Sequence, residues 1–136
     1  MGNFSGPLIA QKKLTRIKVR KWYTLWIWKH DGIKETWIIH EPFTYTASNG
    51  DVISVEAGYE TDFASIPEIL GFILQKDGPY SQAAVAHDRA YGAHLFPRER
   101  CDEMLYEAMG DTEVPTPEFE RRLIYDHVRL YGWMFY

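Results

Sequence analysis

Ser81-Gln82-Ala83-Ala84-Val85-Ala86-His87-Asp88-Arg89-Ala90-Tyr91-Gly92-Ala93 is the stretch on which the fold turns. Alanine is the best helix former, and Ala83, Ala84 and Ala86 surround Val85. Ser81 stands where a helix N-cap is expected. The stretch therefore predicts a helix from Ser81 to about Ala93. Downstream, Pro97 fits the first turn of a second helix that ends near Gly110. Thr116-Pro117 repeats a cap-then-proline pattern and opens a third helix, roughly Glu118 to Tyr131. Its apolar residues Phe119, Leu123, Ile124 and Val128 recur at helical spacing and are expected in the core.

Upstream the pattern changes to strands. Residues 16–28 are rich in β-branched and aromatic types, His30-Asp31-Gly32 is a turn signal, and Glu35 to His40 can return as a partner strand. A second hairpin joins Phe43–Thr46 to Val52–Glu56, with Asn49-Gly50-Asp51 between them supplying the positive φ angles of a tight turn. Trp22, Trp26 and Trp28 share one face of the first strand, and Tyr23, Leu25 and Ile27 share the other. A strand apolar on both faces is usually covered on both, by its own sheet or by another chain. No repeat, low-complexity segment or linker interrupts the sequence. The expectation is one α+β domain over residues 1–136. An N-terminal antiparallel sheet of hairpins (1–60) packs against a C-terminal three-helix unit (61–136).

Composition narrows the function classes. The chain has 136 residues, 46% of them hydrophobic, enough for one core without outside help. No stretch approaches the roughly 20 apolar residues of a membrane-spanning helix, and the start lacks the pattern of a secretory signal. The single cysteine, Cys101, cannot form an internal disulfide. A net charge of −4 argues against general nucleic-acid binding. The basic run from Lys12 to Lys21 reads more simply as edge-strand lysines that deter sheet-to-sheet pairing.

The residues that carry chemistry lie on the first helix. His87 and Tyr91 are i,i+4 neighbours and Asp88 and Tyr91 are i,i+3, so the three share a broad face. His87 lies six residues before the end of its helix, and Asp102 about five after the next begins. In an antiparallel hairpin both sit roughly 7 to 9 Å from the loop, so Asp102 can accept a hydrogen bond from one imidazole nitrogen. Histidine titrates near neutrality, and a carboxylate behind it fixes the tautomer and steadies the imidazolium. Asp88 could hold a hard cation such as calcium, which would polarise an ester carbonyl. A buried polar network that ties helices together explains the same residues, and on the residues alone it is the stronger reading.

The segment Gly58-Tyr59-Glu60-Thr61-Asp62-Phe63-Ala64-Ser65-Ile66-Pro67, followed by Ala83 to Tyr91, resembles a phage and prophage family known as domain of unknown function 1353. The resemblance runs from roughly Val55 to the C-terminal helix and implies a phage-derived protein. A second, local resemblance covers Ala83-Ala84 through His87-Asp88-x-x-Tyr91 with a later Asp102. It looks like the helix pair of phospholipase A2, especially the short disulfide-free form in parvovirus capsid proteins. That resemblance implies His87 as the base, Asp88 as a calcium ligand, and Asp102 and Tyr91 as supports of the histidine. Where the family has a glycine-rich calcium loop, this sequence has only Asp77-Gly78-Pro79-Tyr80, and its interval from Asp88 to Asp102 is shorter. Asp62 could supply a further carboxylate, or it and Ser65 could cap a short helix starting near Ile66.

Together these readings favour a calcium-assisted lipid-ester hydrolase acting on phospholipid in the host cytoplasm or virion. The alternative is a non-enzymatic virion, assembly or host-factor-binding protein, able to self-associate, in which the tryptophan strand is the interface. His94 reads as a solvated residue after the first helix, favoured there by the helix dipole. His127 and Tyr125 read as surface positions, and Cys101 as an ordinary small apolar residue. The apolar tail Tyr131 to Tyr136 is expected to pack back on the domain or against another chain.

Overall fold

The computed structural model describes residues 2–17, 32–61 and 80–136. Its strands are β1 (Asn3–Phe4), β2 (Ala10–Ile17), β3 (Gly32–Ile39), β4 (Phe43–Thr46), β5 (Val52–Val55) and β6 (Glu60–Thr61). Its helices are α1 (Ser81–Ala93), α2 (Arg98–Gly110) and α3 (Glu118–Tyr131), and a 3-10 turn at Gly132–Met134 follows. The architecture is α+β, with two small antiparallel sheets in the N-terminal part and three helices in the C-terminal part.

One sheet has the order β1-β4-β5. Burial alternates along both strands of its hairpin, so Phe43 and Tyr45 of β4 turn inward opposite Val55 and Ile53 of β5. That alternation is what a sheet with one face on the core requires. The expected hairpin is present, but its turn differs from the expectation. Gly50 adopts a positive φ of 94°, whereas Asn49 is not left-handed. Instead the Asn49 side chain accepts from the Asp51 amide at 3.0 Å, and the Gly50 amide closes a four-residue turn on the Ala47 carbonyl at 2.9 Å. The loop is five residues long, and one left-handed glycine suffices to close it.

The other sheet has the order β2-β3-β6, with Ala10 opposite Ile39 and Trp37 opposite Thr61. Its long hairpin begins at Ala10, earlier than the sequence pattern suggested. Among the described strands β2 lies at an edge, and its Gln11–Leu14 segment is exposed. The tryptophan row at Trp22, Trp26 and Trp28 lies outside the described residues, as do Asp62 and Ser65.

All three helices fall where the sequence placed them, but their caps do not. Ser81 is the first helical residue rather than the N-cap, which is Tyr80, and the Thr116 hydroxyl makes no cap bond. Pro97 and Pro117 themselves occupy the N-cap positions, where their fixed φ leads into the first turn. Helix α1 is buried from Ser81 through His87 and again at Ala90 and Tyr91. A helix buried on most sides needs small residues, which its alanines provide. It packs on β5 and on α2, and α2 packs in turn on α3. Polar contacts along α2 and at its C-cap latch the β4–β5 hairpin. Tyr45 donates to Asp111 at 2.7 Å, the Ser48 amide to Glu107 at 2.7 Å, and Arg100 to Asp51 at 2.9 Å.

On α3 the expected core stripe is only half right. Ile124 and Val128 are fully buried and Leu123 is half-buried, but Phe119 is 72% exposed. At 3.6 residues per turn, Phe119 lies about 180° around the helix from Val128, so the two cannot share a face. The tail divides its side chains. Tyr136 packs back on the helices, while Trp133, Met134 and Phe135 stay exposed. Ile124→Ala should therefore cost about 2–5 kcal/mol of stability in urea unfolding. Phe119→Ala should fall within about 0.5 kcal/mol of wild type. Equal costs for the two would contradict this packing.

Candidate functional site

The connection His94–Pro97 turns the chain from α1 into α2 and sets the site. His94 adopts a left-handed φ of 49°, and Leu95 donates back to the Ala90 carbonyl at 3.1 Å. This is the six-residue hydrogen-bonded closure of a helix C-terminus, usually built with glycine. His94 is exposed as expected, but its ring also lies flat on Tyr136, with centroids 4.1 Å apart. The turn brings α2 back along α1, and His87 meets Asp102 as the hairpin arithmetic required.

Nε2 of His87 lies 2.8 Å from Oδ1 of Asp102. The Tyr91 hydroxyl donates to the same oxygen. The His87 and Tyr91 rings are in contact, with centroids 4.0 Å apart. Three of the expected site residues are thus brought together around one carboxylate. Because a carboxylate only accepts, Nε2 carries the proton in this hydrogen bond.

Asp88 points elsewhere. Its carboxylate accepts from the Thr61 hydroxyl of β6, and the residue is half-buried. Asp62, the other carboxylate expected at a metal, lies outside the described residues. Among the described residues, no group of three or more His, Cys, Asp or Glu is placed to hold a metal ion. His127 is half-buried on α3 against Tyr131. Cys101 is fully buried, and burial pushes its thiol up to about 11, which fits a packing role.

Two arginines complete the cluster, and neither was expected. Arg129 of α3 donates to Oδ2 of Asp102 at 2.8 Å. Arg98 stands 3.7 Å from the same oxygen and donates instead to the carbonyls of Val128 and Arg129, at 3.0 and 3.2 Å. Arg98 precedes Asp102 by four residues on one helix, a spacing that could have signalled it. Arg129 is 27 residues away and leaves no local signal.

The electrostatics follow from burial. Asp102 and His87 are 0% and 1% exposed. Desolvation alone would raise the Asp102 carboxyl, but hydrogen bonds from His87, Tyr91 and Arg129 outweigh it and hold the group below the usual carboxylate range. The Tyr91 hydroxyl is pushed well above its ordinary value by burial and by its bond to that carboxylate. The geometry can hold one imidazole tautomer in place, receive charge on the ring, and tie three helices together.

Residues 37–128, more than half of the chain, match a family model described as a protein of unknown function (DUF1353). The match starts at Trp37 in β3, further upstream than the sequence motifs suggested, and includes β4, β5 and β6. No curated protein and no solved structure matches the chain.

Two tests address this geometry. A carboxyl depressed in the folded state contributes stability that is whole above its unfolded value of about 3.9 and is lost as pH falls through the folded value. The stability gap between wild type and Asp102→Asn in urea should narrow as pH falls from about 4 towards 2. A gap that stays constant throughout would show that the charge contributes nothing. A Cβ on Gly132 would come within 2.6 Å of the Tyr91 hydroxyl and 3.3 Å of Arg98. Gly132→Ala should cost about 1–3 kcal/mol and lower the melting temperature, with no backbone strain to blame. A neutral result would mean that the turn yields freely.

Proposed function

The chain belongs to this family of uncharacterised proteins, and from that premise we propose that it is a histidine-based lipid-ester hydrolase. The phospholipase A2-like helix pair is the motif it uses, and a phage infection is its setting. The observation that supports this most is the shared Asp102 oxygen. Nε2 of His87 and the hydroxyl of Tyr91 both bind Oδ1, the arrangement that a base braced from behind requires.

In the proposed reaction, His87 takes a proton from a water at Nδ1 while Asp102 steadies the imidazolium through Nε2. The water oxygen attacks the ester carbonyl. The ring then returns the proton to the leaving alkoxide, so that a fatty acid and an alcohol are released. With His87 only 1% exposed, the reaction requires that the site open around the bound lipid.

Calcium takes six to eight oxygen ligands. The described residues at this position offer the Asp88 carboxylate, already joined to Thr61, and fall short of that set. Calcium held by Asp88 and Asp62 enters only as a variable of the assay.

A second reading has its own supporting observation. A fully buried Asp102, contacted from α1, α2 and α3, is what a structural lock needs, in a virion, assembly or host-factor-binding protein. The two readings separate in a release assay on phosphatidylcholine and phosphatidylglycerol vesicles, with calcium or with a chelator. The hydrolase should release fatty acid, and His87→Ala should abolish release while circular dichroism stays native. Asp88→Asn should remove any calcium dependence. Vesicles left intact by folded wild-type protein in both buffers would reject the hydrolase and leave the lock.

A further inference from the structure

Asp102 faces a problem of orientation that its own side chain does not solve. The terminal torsion of an aspartate is broad and roughly two-fold, so the plane of the carboxylate is set by what binds it. Two donors from α1, His87 and Tyr91, share one oxygen. If the group rotated, either donor could be lost.

We infer that Arg129 is a positioning residue for His87: by holding Oδ2 of Asp102 from α3, it turns Oδ1 towards Nε2 of His87 and the hydroxyl of Tyr91. Arg98 acts less directly: its guanidinium stands 3.7 Å from Oδ2, interacts with the Tyr91 hydroxyl, and donates to the backbone carbonyls of Val128 and Arg129. Its effect is to fix the last turn of α3 and so the base of the Arg129 side chain. Gly132, packed on the Tyr91 hydroxyl, closes the same corner.

The pair is not a surface ornament. Exposed ion pairs contribute little because water screens both partners. Here one partner, Asp102, has a side chain that is 0% exposed, and Arg129 is 31% exposed. A cation that binds a buried carboxylate through a charge-assisted hydrogen bond restricts its rotation as well as its charge. The groups facing Asp102 among the described residues are His87 and Tyr91 from α1, Arg98 from its own helix, and Arg129 from α3.

The catalytic consequence rests on the hydrolase reading, whereas the positioning itself does not. The ring proton on Nε2 reports the positioning directly by proton–nitrogen NMR of the full chain. In wild type this proton should resonate far downfield and exchange slowly with water. Arg129→Met keeps the aliphatic stem and removes the guanidinium. It should move the resonance upfield and speed its exchange by on the order of 10-fold or more. Arg129→Lys, which restores a cationic donor, should recover most of the wild-type signal. If vesicle hydrolysis is present, Arg129→Met should lower kcat on the order of 10- to 100-fold with KM little changed. A wild type without hydrolysis removes only the catalytic consequence, because the ring proton still reads the positioning. A folded Arg129→Met variant whose Nε2 proton is unchanged in shift and exchange overturns the inference. Should that variant fail to fold, Arg129→Gln is read in the same way, and an unchanged resonance there has the same force.

Discussion

A negative charge with no water around it must be answered from within the protein, and Asp102 is that charge. Leaving a buried ion without its partner typically costs about 3–5 kcal/mol. The helices of the C-terminal part are therefore not free to choose their spacing. α1 must deliver His87 and Tyr91 to one oxygen, and α3 must deliver Arg129 to the other. Apolar packing between helices tolerates small slips, because van der Waals contact is short-ranged but has no preferred direction. A carboxylate shared by several donors tolerates far less. The hydrophobic core supplies the drive to fold, and the carboxylate fixes the register of the helices.

The same constraint reaches the C-terminus. Arg98 binds the carbonyls at the end of α3, where a helix leaves acceptors unsatisfied and presents partial negative charge. The next residues pack on the site itself, with Gly132 against Tyr91 and the Tyr136 ring edge-on to Tyr91 at 5.3 Å. The Tyr136 hydroxyl donates to the Phe96 carbonyl at 2.8 Å, in the connection between α1 and α2. The tail thus packs on the loop end of the helix hairpin. Its one inward aromatic is held by three contacts while its neighbours face water.

Much of this was legible in the sequence, for reasons that can be named. Pro97, Gly110 and Pro117 bounded the helices because proline and glycine act through the backbone alone, whatever surrounds them. The His87–Asp102 pair followed from equal distances to a short loop, which is arithmetic on the rise of a helix. Phe119 failed because recurring apolar residues do not share a face unless their angles agree, and Phe119 and Val128 disagree by half a turn. Arg129 was illegible because a long charged side chain reads as surface. Only the packing of α3 shows that its tip ends on a buried carboxylate. The near-complete burial of His87 also has a signal in the sequence. A helix that is alanine on several sides is one that neighbours approach closely from several sides.

Two adjacent residues of α1, His87 and Asp88, are turned about 100° apart by the helix. That difference gives them unlike partners. His87 reaches across to α2, while Asp88 accepts from Thr61 on β6, the strand paired to the end of β3. The pair therefore joins the helical unit to the sheet through one turn of backbone. Any movement that opened the ring of His87 by rotating α1 would also strain the bond between Asp88 and Thr61. α1 is thus held on both sides, by α2 through His87 and by β6 through Asp88.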